Sequence, residues 1–215
     1  MTEQTNGFQD ATEAAPGTLV FDFGGVLFDW NPRHLFRQFF GGDGEGMERF
    51  LAEIDFFAWD AGMDCGRPFG DAVEEWSAKF PQHAGLIRAF DSRWAETVGG
   101  PIPGTQDLLL RLNNAGIPLY GLSNWSAEKF LILRGKYPYI SVFRKILLSG
   151  EVGMCKPDPR IFRIFLEQTG LRKETLLFID DSPANIAAAR SLGWNALLFA
   201  SAKALEQELT ARNFL

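Results

Sequence analysis

Short apolar runs that each break into small, polar or acidic residues at the C-terminal end set the tightest limit on how this chain folds. The first, residues 18–23, is apolar on successive positions rather than alternate ones. That is the pattern of a strand covered by helices on both faces. It ends abruptly in Asp22-Phe23-Gly24-Gly25. Further runs follow at residues 117–122, 145–149, 176–179 and 196–199, separated by stretches with helical spacing. Pro103-Gly104 opens one such stretch, whose Leu108, Leu109, Leu110 and Leu112 precede Gly116. Others are expected over 159–168, 185–192 and 202–212. Strands alternating with helices predict an α/β fold built on a parallel sheet.

Between residues 31 and 101 the strand runs vanish, and Leu35, Phe36, Phe39, Phe40, Phe50, Ile54, Phe57, Val73, Trp76 and Phe80 recur at helical spacing. This predicts an all-helical insertion after the first strand, placed to close over the strand ends where open α/β sheets bind ligands. The expected organisation is a disordered tail over 1–17, a core over 18–30 and 102–215, and a small helical cap over 31–101. A length of 215 residues with 46% hydrophobic and 22% charged residues suits one core and a modest insertion.

The formal net charge of −6 argues against a nucleic-acid binder, whose affinity comes largely from clustered Lys and Arg. No apolar run approaches the roughly 20 residues that span a bilayer, and residues 1–17 lack the basic start and apolar stretch of a secretory signal. Cys65 and Cys155 lie far apart with no C-x-x-C spacing, so neither a disulfide framework nor a zinc site is expected. These features predict a cytoplasmic protein acting on a small molecule, as a monomer or dimer.

Four polar features stand at the carboxyl ends of predicted strands: Asp22, Ser123-Asn124, Lys156 just beyond the third, and Asp180-Asp181. In a parallel sheet those ends share one edge, so the four converge on one crevice. Each has a plainer reading by itself. Asp22 could cap a turn before Gly24-Gly25, Ser123-Asn124 could start the helix from Ser126, Lys156 could be solvated, and the paired carboxylates could serve a helix N-terminus.

Taken in order, FDFGGVLFD, LSN, the KP of GMCKPDPRIF, and FIDDSPANI make the chain resemble the haloacid dehalogenase-like hydrolase superfamily from residue 18 to about 199. Within it, the first motif is similar to that of a phosphatase branch with FD-x-G, which includes bacterial sugar-phosphate phosphatases. The resemblance implies a Rossmann-like core and Asp22 as a covalent nucleophile. It implies a magnesium ion held by Asp22, the backbone carbonyl of Gly24 and the Asp180-Asp181 pair, with Asp181 the preferred direct ligand and Asp180 in support. Ser123 and Asn124 would hold phosphate oxygens, and Lys156 would offset the charge of nucleophile and phosphate. Asn185 would orient Lys156 or a metal-bound water. The implied activity is magnesium-dependent hydrolysis of small phosphomonoesters, sugar phosphates among them, through an aspartyl-phosphate.

Most phosphatases of this family carry a second Asp two residues after the nucleophile, as the acid for the leaving alkoxide. Here the position is Gly24, and general acid catalysis contributes about 10² to 10⁴ in rate. Three readings follow: a phosphatase with another proton donor or bound water, a metal-free 2-haloacid dehalogenase whose halide leaves without a proton, or a catalytically weak binder of a phosphometabolite. The adjacent carboxylates of FIDDSPANI speak against the second. In the insertion, Arg33 or Arg37 could reach a substrate anion, although ordinary surface charges account for them equally well. His34 and His83 have no companions at ligand spacing. One or two of Trp30, Trp59, Trp76 and Trp94 could line a sugar-sized pocket.

Overall fold

The computed structural model of the chain describes residues 17–215. The tail expected over 1–17 therefore lies, except for Gly17, outside the described residues. Five parallel strands form the main sheet: β1 (Thr18–Phe21), β4 (Leu119–Ser123), β5 (Lys145–Leu148), β6 (Leu176–Asp180) and β7 (Asn195–Leu198), in the order β5-β4-β1-β6-β7. The chain builds outward from β1 on one side and then crosses to the other. The ends of β1, β4 and β6 therefore flank a topological switch point, where ligands of such sheets sit. Leu19 pairs with Leu119 on one flank and Leu177 on the other, and the Asp22 N–H donates to the Ile179 carbonyl at 2.9 Å. The α/β class, the parallel sheet and the Rossmann-like layering are as the sequence predicts.

Helices α6 (Thr105–Asn114), α7 (Ala127–Lys136), α8 (Ser149–Val152), α9 (Pro159–Thr169), α10 (Pro183–Ser191) and α11 (Ala202–Ala211) alternate with the strands. Their starts follow local chemistry. The side chains of Ser126, Asp158, Ser182 and Ser201 each accept from a backbone N–H of the first turn. The central strands are fully enclosed: β1 and β6 are buried at every residue.

Residues just beyond β1 form a tight turn leading to β2 (Phe28–Trp30), which pairs antiparallel with β3 (Val98–Pro101). This hairpin escapes a sequence reading because its strands are three and four residues long and one is VGGP, with no apolar run. Between its arms lie α1 (Pro32–Phe36), α2 (Gly44–Glu53), α3 (Phe56–Asp64), α4 (Phe69–Lys79) and α5 (Ala84–Ser92). Helical spacing places Phe36, Phe50, Phe56 and Phe90 on inward faces, where Phe56 meets Phe90 edge-on at 4.9 Å and Phe36 meets Phe50 at 5.0 Å. Trp59 and Trp76 stack in the same interior. Arg33 is taken by Glu48, at 2.5 and 2.8 Å, while His34 faces Asp29 and His83 faces Glu53. These are surface pairs away from the strand ends, the plainer of the two readings for Arg33.

The helical segment is fastened to the core around the end of α3. Asp64 accepts from the Ser126 N–H at 3.1 Å through its carboxylate and from Ser149 Oγ at 2.5 Å through its carbonyl. Lys129 of α7, buried, pairs with Asp91 of α5 and lies 4.3 Å from the Phe69 ring centre. Cys65 and Cys155 are joined as a disulfide, with Cα atoms 5.4 Å apart. That corrects the sequence expectation of two unpaired cysteines. They are 90 residues apart in the chain, but the fold lays the end of α3 against the segment leading into Lys156, and sequence spacing carries no trace of that approach. The argument for a reducing compartment from unpaired cysteines falls with it. No helix among the described residues is long and apolar enough to cross a membrane.

Candidate active site

Asp22 stands one residue past β1, held by three donors on a single oxygen. Its Oδ1 accepts from the Phe23 N–H at 2.7 Å, Ser123 Oγ at 2.6 Å and Lys156 Nζ at 3.0 Å. Its Oδ2 receives no hydrogen bond among the described residues. One oxygen is thus fixed while the other is free to attack an electrophile or meet a cation. Burial pushes this carboxyl up to about 7, with Lys156 pulling it down and Asp180 adding to the rise.

Lys156 is 3% exposed, and its three N–H bonds find three acceptors: Asp22 Oδ1, Asp180 Oδ2 at 2.6 Å and the Leu122 carbonyl at 2.9 Å. Burial by itself would lower its pKa, but the Asp22 and Asp180 carboxylates outweigh that and raise it. The ammonium is therefore permanent, and it neutralises one of two buried negative charges.

Asp180 is saturated. Besides Lys156, it accepts from the Ser182 N–H at 2.8 Å on Oδ1, and from Asn185 Nδ2 at 3.0 Å on each oxygen. Three donors make four hydrogen bonds to this carboxylate, which suits Asp180 to holding Lys156 and leaves it poorly suited as a direct ligand. Asn185 consequently orients Lys156 through Asp180 rather than by contact.

Asp181 is exposed and lies over Gly25. A Cβ on Gly25 would overlap the Asp181 carboxylate, and the residue also takes φ +71°, so this position requires glycine twice over. Asp22, Asp180 and Asp181 each bring a carboxylate oxygen into a cluster within 4.8 Å. Hard oxygen donors at such spacing fit a small divalent cation.

Two expected phosphate ligands are committed elsewhere. Asn124 Nδ2 donates to the Lys156 carbonyl and its Oδ1 accepts the Lys156 N–H, both at 2.8 Å. Its amide therefore clamps the Lys156 backbone instead of facing a phosphate. Ser123 is fully buried, and its hydroxyl proton goes to Asp22. A two-residue polar step after a strand does not reveal which neighbour will claim it.

Beside Gly24 and Asn124 is a cavity of about 60 Å³, lined also by Trp30, Asp60, Asp64, Trp94, Trp125 and Ser126. Trp30 and Trp94 are thus the two tryptophans, of the four considered in the insertion, that line it. A Cβ on Gly24 would meet the Trp125 ring at 3.5 Å, an ordinary van der Waals contact. Trp125, Asp60 and Asp64 went unnoticed in the sequence. The i, i+4 spacing of the two acids on α3 was the available signal, and it looked like an ordinary polar helix face.

These parts, carried on an open parallel sheet, define a hydrolase site built around a buried carboxylate, a lysine and a pair of acids. The chain belongs to the haloacid dehalogenase-like hydrolases, whose family model matches residues 16–193. It is similar to the sesquiterpene phosphatase astK of Aspergillus oryzae, 29% identical over 88% of this chain and 93% of that protein. It is also similar to the drimenol cyclase drtB of Aspergillus calidoustus, 39% identical over 45% of this chain, a match spanning only 18% of that protein. A haloacid dehalogenase-family enzyme from Bacteroides thetaiotaomicron, solved in complex with magnesium and inorganic phosphate, superposes with a TM-score of 0.67. That structure is 25% identical, with 86% of this chain and 95% of that one covered.

Proposed function

We propose that the protein is a magnesium-dependent phosphatase of small phosphomonoesters, with Asp22 as nucleophile and residues 31–101 as a cap over the site. The observation that carries this reading is the division of labour on Asp22: Oδ1 is bound by Phe23, Ser123 and Lys156, and Oδ2 accepts no hydrogen bond among the described residues. A carboxylate fixed on one oxygen presents the other in a single orientation, the positional advantage covalent catalysis needs. Lys156 stabilises the negative charge that gathers as Asp22 approaches a phosphoryl group, and Asp180 with Asn185 and Asn124 keeps the ammonium in place. Asp22 and Asp181 would hold magnesium with the backbone of Gly24, and the ion would neutralise phosphoryl oxygens when bound. The phosphatase names among its relatives and the magnesium-phosphate complex of a structural neighbour support the same reading.

Hydrolysis would run through Asp22 in two halves. The carboxylate Oδ2 displaces the alcohol to give an aspartyl-phosphate, and water then cleaves the new P–O bond. The walls of Trp30, Trp94 and Trp125 favour an apolar or flat organic group on the substrate.

Gly24 favours one competing reading, a 2-haloacid dehalogenase, because a halide needs no proton to depart. Incubation with an aryl phosphate, sugar phosphates and 2-chloropropionate, with and without EDTA, separates the two. Phosphate release abolished by EDTA and restored by magnesium is expected. Chloride release indifferent to EDTA would replace this reading with the other.

A further inference from the structure

An acid pair on the helical segment, one member buried and the other half-buried, faces the cavity beside Gly24. Asp60 and Asp64 sit one turn apart on α3 and line the same cavity as Gly24. Asp60 is only 7% exposed and makes no hydrogen bond or ion pair among the described residues. Asp64 is anchored by the Ser126 N–H at 3.1 Å. The Trp125 indole N–H, from another wall of this cavity, is also buried without an acceptor. An unpaired carboxylate and an unpaired donor in one cavity are polar groups for which folding alone gives no reason.

Resting on the phosphatase reading above, we propose that Asp60 is the general acid of this enzyme, supplying from the cap the proton that a residue at position 24 cannot. Asp64 is its positioning residue. The two positions are complementary: glycine at 24 has no side chain to donate a proton, and among the described residues the unpaired carboxyl lining the cavity comes from α3. Burial, followed by the like charge of Asp64, holds Asp60 well above the ordinary carboxylate range. That is the direction a proton donor requires. Lys156 is the cation that acts on Asp64, and burial nonetheless lifts that carboxyl to about 7.

The step balances. As Asp22 Oδ2 bonds to phosphorus and the ester P–O bond breaks, the Asp60 proton passes to the departing alkoxide, which leaves as the alcohol. The Asp60 carboxylate then takes a proton from the water that attacks the aspartyl-phosphate, so that phosphate departs and Asp60 is restored.

Leaving-group dependence tests this. Wild type, Asp60→Asn and Asp64→Asn are assayed on an alkyl phosphate, whose alkoxide needs a proton, and on p-nitrophenyl phosphate, whose phenolate does not. Asp60→Asn is expected to lower kcat/KM, which reports the phosphoryl-transfer half alone, by about 10² to 10⁴-fold on the alkyl ester and by less than about threefold on the aryl ester. Asp64→Asn should show the same selectivity at smaller size. The ratio of the two rates does not depend on the fraction of folded enzyme, so a poorly folding variant still reports. Equal losses on both esters, or none, would overturn the assignment of Asp60 and leave the phosphatase reading standing. Wild-type enzyme that releases phosphate from neither ester would overturn both.

Discussion

Two pairs of acids, Asp22 with Asp180 at the strand ends and Asp60 with Asp64 on α3, are partnered in opposite ways. On the core side, Asp22 and Asp180 share the ammonium of Lys156, and Asp180 accepts four hydrogen bonds from three donors. On the helical side, among the described residues, Asp60 has no partner and the Asp64 carboxylate has a single backbone donor. Burial raises Asp22 and Asp64 alike, to about 7, so what separates the pairs is contact. A bound cation fixes Asp22 in one orientation for attack, and the lack of a partner leaves the Asp60 carboxyl free to donate.

Removing the cation should erase the distinction most severely. Lys156→Met leaves two carboxylates buried without compensation. Stability should fall by about 3 to 5 kcal/mol in denaturant titrations, and phosphatase kcat by about 10² to 10³-fold. A variant of near wild-type stability would mean that Asp22 and Asp180 are not held as an ion-paired network.

Loosening the network is a milder break. Asn185→Ala removes both amide contacts to Asp180 without touching Asp22. A loss of about 1 to 3 kcal/mol and about tenfold in kcat, with little change in KM, is the expected result. Equal effects on kcat and KM would point to a substrate contact instead.

The smallest effect has the opposite sign. Asp64 has its carboxyl raised from 3.8 to about 7. Below the lower value it is protonated folded or unfolded. As pH rises between the two values, the unfolded chain loses the proton first, so the folded state is progressively destabilised. Asp64→Asn, which keeps an acceptor for Ser126, should therefore melt about 3 °C higher than wild type at pH 8, with the gain vanishing near pH 4. A lower melting point at pH 8 would contradict the raised carboxyl.

The same contrast governs how much could be read from the chain itself. The core side was legible because its parts follow strands: an apolar run ending in an acid announces both the strand and its edge, and the order of four motifs put Asp22, Lys156 and Asp180-Asp181 together. Within that frame the side-chain partners were not legible. Nothing in Ser123-Asn124 indicates that one residue serves Asp22 and the other the Lys156 backbone. The helical side was legible only as helices. Asp60 and Asp64 acquire meaning from burial, Trp125 from its contact with Gly24, and Cys65 from Cys155, and each of these joins segments far apart in sequence.

The central claim is that Asp22 becomes phosphorylated, and trapping that state tests it most directly. Enzyme mixed with magnesium and ³²P-labelled aryl phosphate is quenched in acid within one turnover, digested and mapped. Label should appear on the peptide that carries Asp22, be released by hydroxylamine as an acyl phosphate, and be absent from Asp22→Asn, whose turnover should fall more than about a hundredfold. Rapid phosphate release with no labelled peptide, or Asp22→Asn retaining more than about a hundredth of the rate, would contradict the account.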